Sequence, residues 1–160
     1  MLFRSHGFLN EEKMGFFIDV FPIDGLPAEK HIKRYFRKMK FLDVMRTTSM
    51  RKSFIPGEKY VFIKKILGLY TSKKGTFYFL KKSNQLAKRY DFTSSEFVAV
   101  SLITQYGMRE KIRRECMNSA AYLKFEGRDF PVPVGWETYL SNLYGNWKEI
   151  PKDAAEKGYT

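Results

Sequence analysis

Cysteine is all but missing from this chain of 160 residues: Cys116 stands alone. That excludes an internal disulfide framework and a cysteine zinc site, and it fits a reducing, cytoplasmic compartment. Cys116 follows Arg113, Arg114 and Glu115 and reads as an ordinary cysteine rather than a nucleophile. Histidine is nearly as scarce; His6 and His31 lack metal-ligand spacing and read as surface residues. There is no run of about 18 apolar residues, so no transmembrane helix is expected. The opening MLFRSHGFLNEEKMGFF has neither the apolar stretch nor the small-residue cleavage site of a signal peptide. The GxxxxGK[ST] phosphate loop, the GxGxxG turn and the GxSxG elbow are absent too. With no internal repeat, low-complexity tract or linker-like break, residues 1–160 read as one domain.

Aromatic residues are plentiful: 15 Phe and 10 Tyr within an apolar fraction of 44%. That excludes a disordered tail and supplies material for a core. The net charge is +12, from 29 Lys and Arg against 17 Asp and Glu. It is concentrated. Residues 30–90 hold 18 Lys and Arg against only Asp43 and Glu58, a net +16, and the remainder carries −4. Solubility asks for less than this. Such a field favours anionic partners: a phosphorylated ligand, an acidic membrane surface or nucleic acid. Single-stranded nucleic acid is the least favoured of these. The aromatics that interleave with the Lys and Arg fall at helical core spacing and are expected to be mostly buried.

Residues 14–21 read as a short buried strand, ended by the turn formers of residues 22–27. Ile32, Tyr35, Phe36, Met39, Leu42 and Met45 recur at three- and four-residue steps and predict a helix over residues 28–47. A break follows at residues 53–57. A second helix is expected over 60–70, a loop over 71–75 and a third helix over 76–90. The period then changes, and residues 96–103 read as a strand. Residues 109–117 suggest a short helix. Residues 121–125 and 129–132 flank Glu126-Gly127-Arg128 as a hairpin. Residues 136–144 read as a last amphipathic helix with Gly145 as its C-terminal glycine. The fold class is therefore α+β: a short mixed sheet, a basic helical middle, and a C-terminal hairpin plus helix.

Asp19 is the acid that calls for an explanation. Inside Phe16-Phe17-Ile18-Asp19-Val20-Phe21 a carboxylate is costly if buried and unpaired. A cation, a hydrogen-bond cluster or a metal must compensate it, unless its face of the strand is wet. Asp24, in the following turn, reads first as a turn former.

Taken together, several segments resemble the LicD family of phosphocholine and related phospholigand transferases. Phe17-Ile18-Asp19-Val20-Phe21-Pro22-Ile23-Asp24-Gly25-Leu26-Pro27 is similar to its FIDIFPLDGLP signature. Tyr106-Gly107-Met108-Arg109-Glu110 resembles its YGxxE segment, and residues 125–133 its FEGxxFPVP segment. Tyr139-Leu140, Leu143-Tyr144-Gly145-Asn146-Trp147 and Pro151 resemble its YLxxLYGDYxxxP ending, with Asn146 and Trp147 as departures. Order and spacing agree over about residues 15–151.

The resemblance implies a nucleotidyltransferase-like fold. It implies an enzyme moving phosphocholine, or a related group, from a CDP-linked donor to a sugar of lipopolysaccharide or teichoic acid. It also implies a divalent metal such as Mg²⁺, with Asp19 as catalytic carboxylate and metal ligand. Asp24, Arg109, Glu126, Tyr144 and Trp147 are the implied substrate-binding residues. Trp136, Tyr144 and Trp147 are candidates for a quaternary ammonium, against packing of the last helix. A GTLLG…DDDID-like segment, which supplies the family's phosphate turn and first two metal carboxylates, has no match in residues 1–16. The chain thus resembles the C-terminal two-thirds of a family member. It is expected to be inactive alone, to hold Mg²⁺ poorly, to self-associate through uncovered surface, and to sit in the cytoplasm or at the inner face of the membrane. The alternative reading is a non-catalytic basic module that binds a phosphorylated glycan, nucleic acid or an anionic membrane surface.

Overall fold

The structure is a computed structural model that describes residues 20–51, 60–102 and 104–149. The longest helix, α1 (Glu29–Met50), begins just after Pro27 and ends where Arg51 turns extended. Its apolar stripe is the one the spacing predicts: Ile32, Tyr35, Phe36, Met39 and Met45 are all buried. Two helices pack against it, α2 (Val61–Lys74) and α3 (Thr76–Ala87). Leu86 and Ala87 of α3 join Ile32, Tyr35, Phe36 and Met39 in the core, with Leu26 below them.

The sheet completes that core. Strand β1 (Asp24–Gly25) pairs with β2 (Phe97–Ala99), which pairs with β3 (Ile112–Arg113). Phe97 and Ala99 are part of the same apolar cluster. A separate hairpin joins β4 (Ala120–Phe125) to β5 (Arg128–Pro133), and α4 (Trp136–Tyr144) follows. Each pairing among the described residues is antiparallel, which corrects the expectation of a mixed sheet.

Helices 1, 3 and 4 and the hairpin lie where the spacing predicts them. The hairpin closes on two residues: Glu126 and Gly127 both take positive φ, 49° and 76°, as a type I′ turn requires. Four local expectations fail. Asp24 and Gly25 form a strand rather than a turn, because β2 supplies their hydrogen-bond partners. Residues 71–74 continue α2, and Gly75 alone separates it from α3. Of the described residues 96–102, only Phe97–Ala99 are strand. Residues 109–117 form no α-helix. They make two single 3₁₀ turns, Gly107–Glu110 and Arg114–Met117, with β3 between them. The break at 53–57 and most of the strand at 14–21 lie outside the described residues.

The aromatics correct a further expectation. Phe62, Ile63, Ile66, Leu69 and Tyr70 of α2 are exposed, as are Tyr60, Phe77 and Tyr78. The side of α2 carrying the fully buried Thr71 is the one that is covered. Helical spacing identifies an apolar face but not which side of the helix becomes covered.

Gly25 shows why β1 sits so tightly. A Cβ there would collide with the carbonyl oxygens of Tyr90 and Asp91 and with the Ser95 hydroxyl. The Asp91 loop is itself fixed, its carboxylate accepting from the amides of Thr93 and Ser94 at 2.7 and 3.2 Å. Because backbone cannot yield, Gly25→Ala is expected to cost about 2 kcal/mol by overpacking. Urea denaturation checks this; a cost below about 0.5 kcal/mol would mean the loop gives way.

Candidate functional site

Two groups of side chains stand out from the packing. The first surrounds Asp24. Strand β1 holds Asp24 opposite Ala99, two residues before Ser101, while α1 brings in Tyr35. Asp24 Oδ2, the Tyr35 hydroxyl and Ser101 Oγ are all buried without a hydrogen-bond partner. Burial raises the Asp24 carboxyl above the usual carboxylate range, and the Lys88 charge lowers it only in part. Burial pushes the Tyr35 phenol up to about 12; the Ser101 hydroxyl beside it works the other way, and the Asp24 charge adds to the rise. Left unmet, each such atom costs about 1–3 kcal/mol. Three together form a polar spot inside an apolar core.

The second group joins two of the family-like segments. The 3₁₀ turn Gly107–Glu110 packs on α4. Glu110 is 1% exposed and accepts a hydrogen bond from the Tyr139 hydroxyl at 2.6 Å. Burial raises the Glu110 carboxyl, while Tyr139 lowers it by a smaller amount. Tyr139 is itself driven well above its ordinary value by burial and by the carboxylate it faces. Arg109 donates from Nη1 to the Leu143 carbonyl at 3.4 Å. The Tyr106 and Tyr144 rings meet edge-on with centroids 5.8 Å apart. The Tyr106 hydroxyl, and then burial, raises the Tyr144 phenol.

Tyr139→Phe tests this pairing. It leaves a buried carboxylate without its donor, and the loss is expected to be about 1–2 kcal/mol at pH 7. An acid whose folded pKa is raised loses stability as pH rises through that value. The variant raises it further, so its cost should develop only as pH rises through the raised folded value, above 4.5, and shrink toward zero below that value. A cost independent of pH between 4 and 7 would show that Glu110 is not the group involved.

The expected site residues are thus distributed. Arg109 and Tyr144 come together beside Glu110. Asp24 lies in the sheet with Tyr35 and Ser101. Glu126 occupies the exposed tip of the hairpin, in the left-handed region. Trp147 packs edge-on against Trp136 at 5.5 Å and donates from Nε1 to Ser141 Oγ at 3.3 Å. Asp19 lies outside the described residues. Cys116 lies against Gly135, whose amide donates to its carbonyl at 2.9 Å. Sequence reasoning passed over Glu110, Tyr35 and Ser101 as site residues. For Glu110 the signal was its place in the YGxxE segment. For Tyr35 and Ser101 there was none, since Tyr35 looks like an ordinary helix-core residue and Ser101 like an ordinary strand residue.

Among the described residues the donor set is not by itself that of a metal centre. Among the described residues no three His, Cys, Asp or Glu side chains gather where they could hold an ion. Asp24 offers one carboxylate, and its neighbours are a phenol and an alcohol. Mg²⁺ prefers octahedral oxygen ligands including charged carboxylates, so the described residues do not by themselves fit it.

The chain is 27% identical over 150 residues to the lipopolysaccharide cholinephosphotransferase LicD of Haemophilus influenzae, covering 91% of this chain and 55% of that protein. This similarity over a partial chain supports the resemblance to the LicD family. It spans about half the length of that curated relative. No family profile matches the chain, and no solved structure matches it. Among the described residues no helix is long and apolar enough to cross a membrane.

Proposed function

We propose that this chain belongs to a phospholigand transferase that moves phosphocholine, or a related head group, from a CDP-linked donor to a hydroxyl of a cell-surface glycan. The observation that carries the reading is the similarity to LicD across nine-tenths of the chain. It is supported by the way two family-like segments lock together, Glu110 of one bonding Tyr139 of the other. In the reaction, an acceptor hydroxyl oxygen forms a bond to the phosphorus bearing the head group. The P–O–P bond of the donor breaks, CMP leaves, and the hydroxyl proton passes to a base.

Asp24 is the described carboxylate best suited to that proton or to the acceptor hydroxyl. It is buried, unpartnered at Oδ2, and raised in pKa, which brings a carboxylate nearer to the basicity catalysis uses. A divalent ion, with Asp19 among its ligands, belongs to this proposal through the family resemblance. Arg109 and Tyr144 would bind donor or acceptor beside the Glu110 pair.

The test is release of CMP from CDP-choline by the complete gene product, with glycan acceptor and Mg²⁺ present. Acceptor-dependent CMP release supports the reading. A folded product that releases no CMP from CDP-choline, CDP-glycerol or CDP-ribitol would remove it. The second reading, a non-catalytic module for phosphorylated ligands, is favoured by Arg34 and Lys38 of α1, which form no ion pair among the described residues. Metal-independent binding without turnover would decide for it.

A further inference from the structure

Along one side of α1 run His31, Arg34 and Lys38, at steps of three and four residues, with Tyr35 in the same stripe. Opposite them lies the chain that leaves α3, with Arg89 and Tyr90. These residues line a cleft of about 300 Å³. No acidic residue lines it. The acids nearest in sequence are engaged elsewhere. Glu29 accepts from Lys111 at 2.6 Å, Asp43 from Arg46 and Thr104, and Asp91 from its own loop. Arg34, Lys38 and Arg89 form no ion pair among the described residues, although Arg89 lies 5.8 Å from the centre of the Tyr90 ring.

Three cations around one concavity repel each other, and the arrangement is most stable with an anion between them. Guanidinium forks match phosphate oxygens in pairs, and a lysine adds a point charge. Tyr90 is half-buried, so part of its ring remains available to a group attached to the phosphate. Tyr35 links the cleft to the interior: it lines the cleft, and its hydroxyl belongs to the unpartnered Asp24–Ser101 group.

We infer that this cleft is a binding site for a phosphate-bearing ligand, its phosphate or diphosphate held by Arg34, Lys38 and Arg89. The site is read from charge and shape alone. It stands or falls on binding, independently of whether the protein transfers anything.

The probe is inorganic pyrophosphate, titrated calorimetrically into the full 160-residue chain at low salt. Saturable one-to-one binding is expected. Arg34→Gln and Lys38→Gln should each weaken it about tenfold, as loss of a charge-assisted contact does. Both side chains are exposed, so the variants should fold, which circular dichroism verifies. Lys124→Gln removes the same charge from the hairpin and should leave affinity unchanged. Absence of saturable binding by the folded chain would overturn the inference, as would an equal loss in Lys124→Gln. Vesicles of phosphatidylcholine with phosphatidylglycerol identify the source of the phosphate. Capture that pyrophosphate reverses, and that the α1 variants lose, upholds the site and assigns it a lipid headgroup. Pyrophosphate binding unaffected by vesicles upholds it and assigns a soluble phosphoester such as a nucleotide diphosphate.

Discussion

Asp24→Asn is expected to make the protein more stable and, on the proposed function, to slow transfer at least about a hundredfold, the loss typical of a missing proton-transfer group. The two effects share one cause. Asp24 Oδ2 is buried with no hydrogen-bond partner, and its charge is disfavoured by desolvation more than Lys88 helps it. Asparagine keeps the shape and removes the charge. Relief of that burial should be worth about 1 kcal/mol at pH 7, roughly 2–4 °C in Tm for a chain of this size. The pH dependence fixes the assignment. For an acid with a raised folded pKa, the stability is fully present below the unfolded value of 3.8 and is lost as pH rises through the folded value. The variant should therefore equal the wild type near pH 3.8 and exceed it increasingly above. Thermal melts across that range, with CMP release as the activity readout, measure both. A variant that melts lower than wild type at pH 7 would mean Asp24 serves the fold. One that keeps its activity within threefold would remove Asp24 from the site.

What could be read from the sequence divides along contact range. Helix α1 was legible because Ile32, Tyr35, Phe36, Met39 and Met45 repeat with the helical period and are all buried. The hairpin was legible because Gly127 stands between two short apolar runs, although the left-handed Glu126 was not foreseen. The failures are non-local. Asp24–Gly25 looks like a turn until Val98 and Ala99, more than seventy residues later, pair with it. Ile112–Arg113 looks helical until Phe97 and Val98 claim it as a strand. Thr71-Ser72-Lys73-Lys74 looks like a loop because it is polar, yet polarity does not break a helix, and Thr71 is fully buried. The candidate site follows the same rule. Family-like segments nominated Arg109 and Tyr144 separately, and only the packing of the 3₁₀ turn on α4 brings them near each other. The burial of Glu110 depends on Tyr139, and the isolation of Asp24 depends on Tyr35 and Ser101. None of these is a sequence neighbour of the acid it affects.

Asp43→Ala is expected to be among the most destabilising single changes in the chain, about 3 kcal/mol at pH 7, because it strands a buried guanidinium. Arg46 is 4% exposed. Its Nη2 donates to Asp43 Oδ1 at 2.6 Å, and the Thr104 hydroxyl donates to Oδ2 at 2.6 Å. The carboxylate thereby ties the middle of α1 to the loop that leads into the 3₁₀ turn of Glu110. Burial raises the Asp43 carboxyl, but Thr104, Arg46 and Lys40 together outweigh it, so its pKa falls below 3.8. An acid with a depressed folded pKa contributes stability above its unfolded value, lost as pH falls through the folded one. The cost of Asp43→Ala should therefore be constant from neutral pH down to about 4 and diminish below 3.8. The loss reflects an unpaired charge rather than the strength of the pair. Replacing both residues, Asp43→Leu with Arg46→Met, should return stability to within about 1 kcal/mol of wild type, as for other buried pairs exchanged for apolar side chains. Thr104→Val should cost only about 1 kcal/mol, the worth of one hydrogen bond. Urea denaturation of wild type and the three variants measures these costs. If Asp43→Ala alone lies within about 1 kcal/mol of wild type, water reaches Arg46 and the tie does not hold α1 to the site.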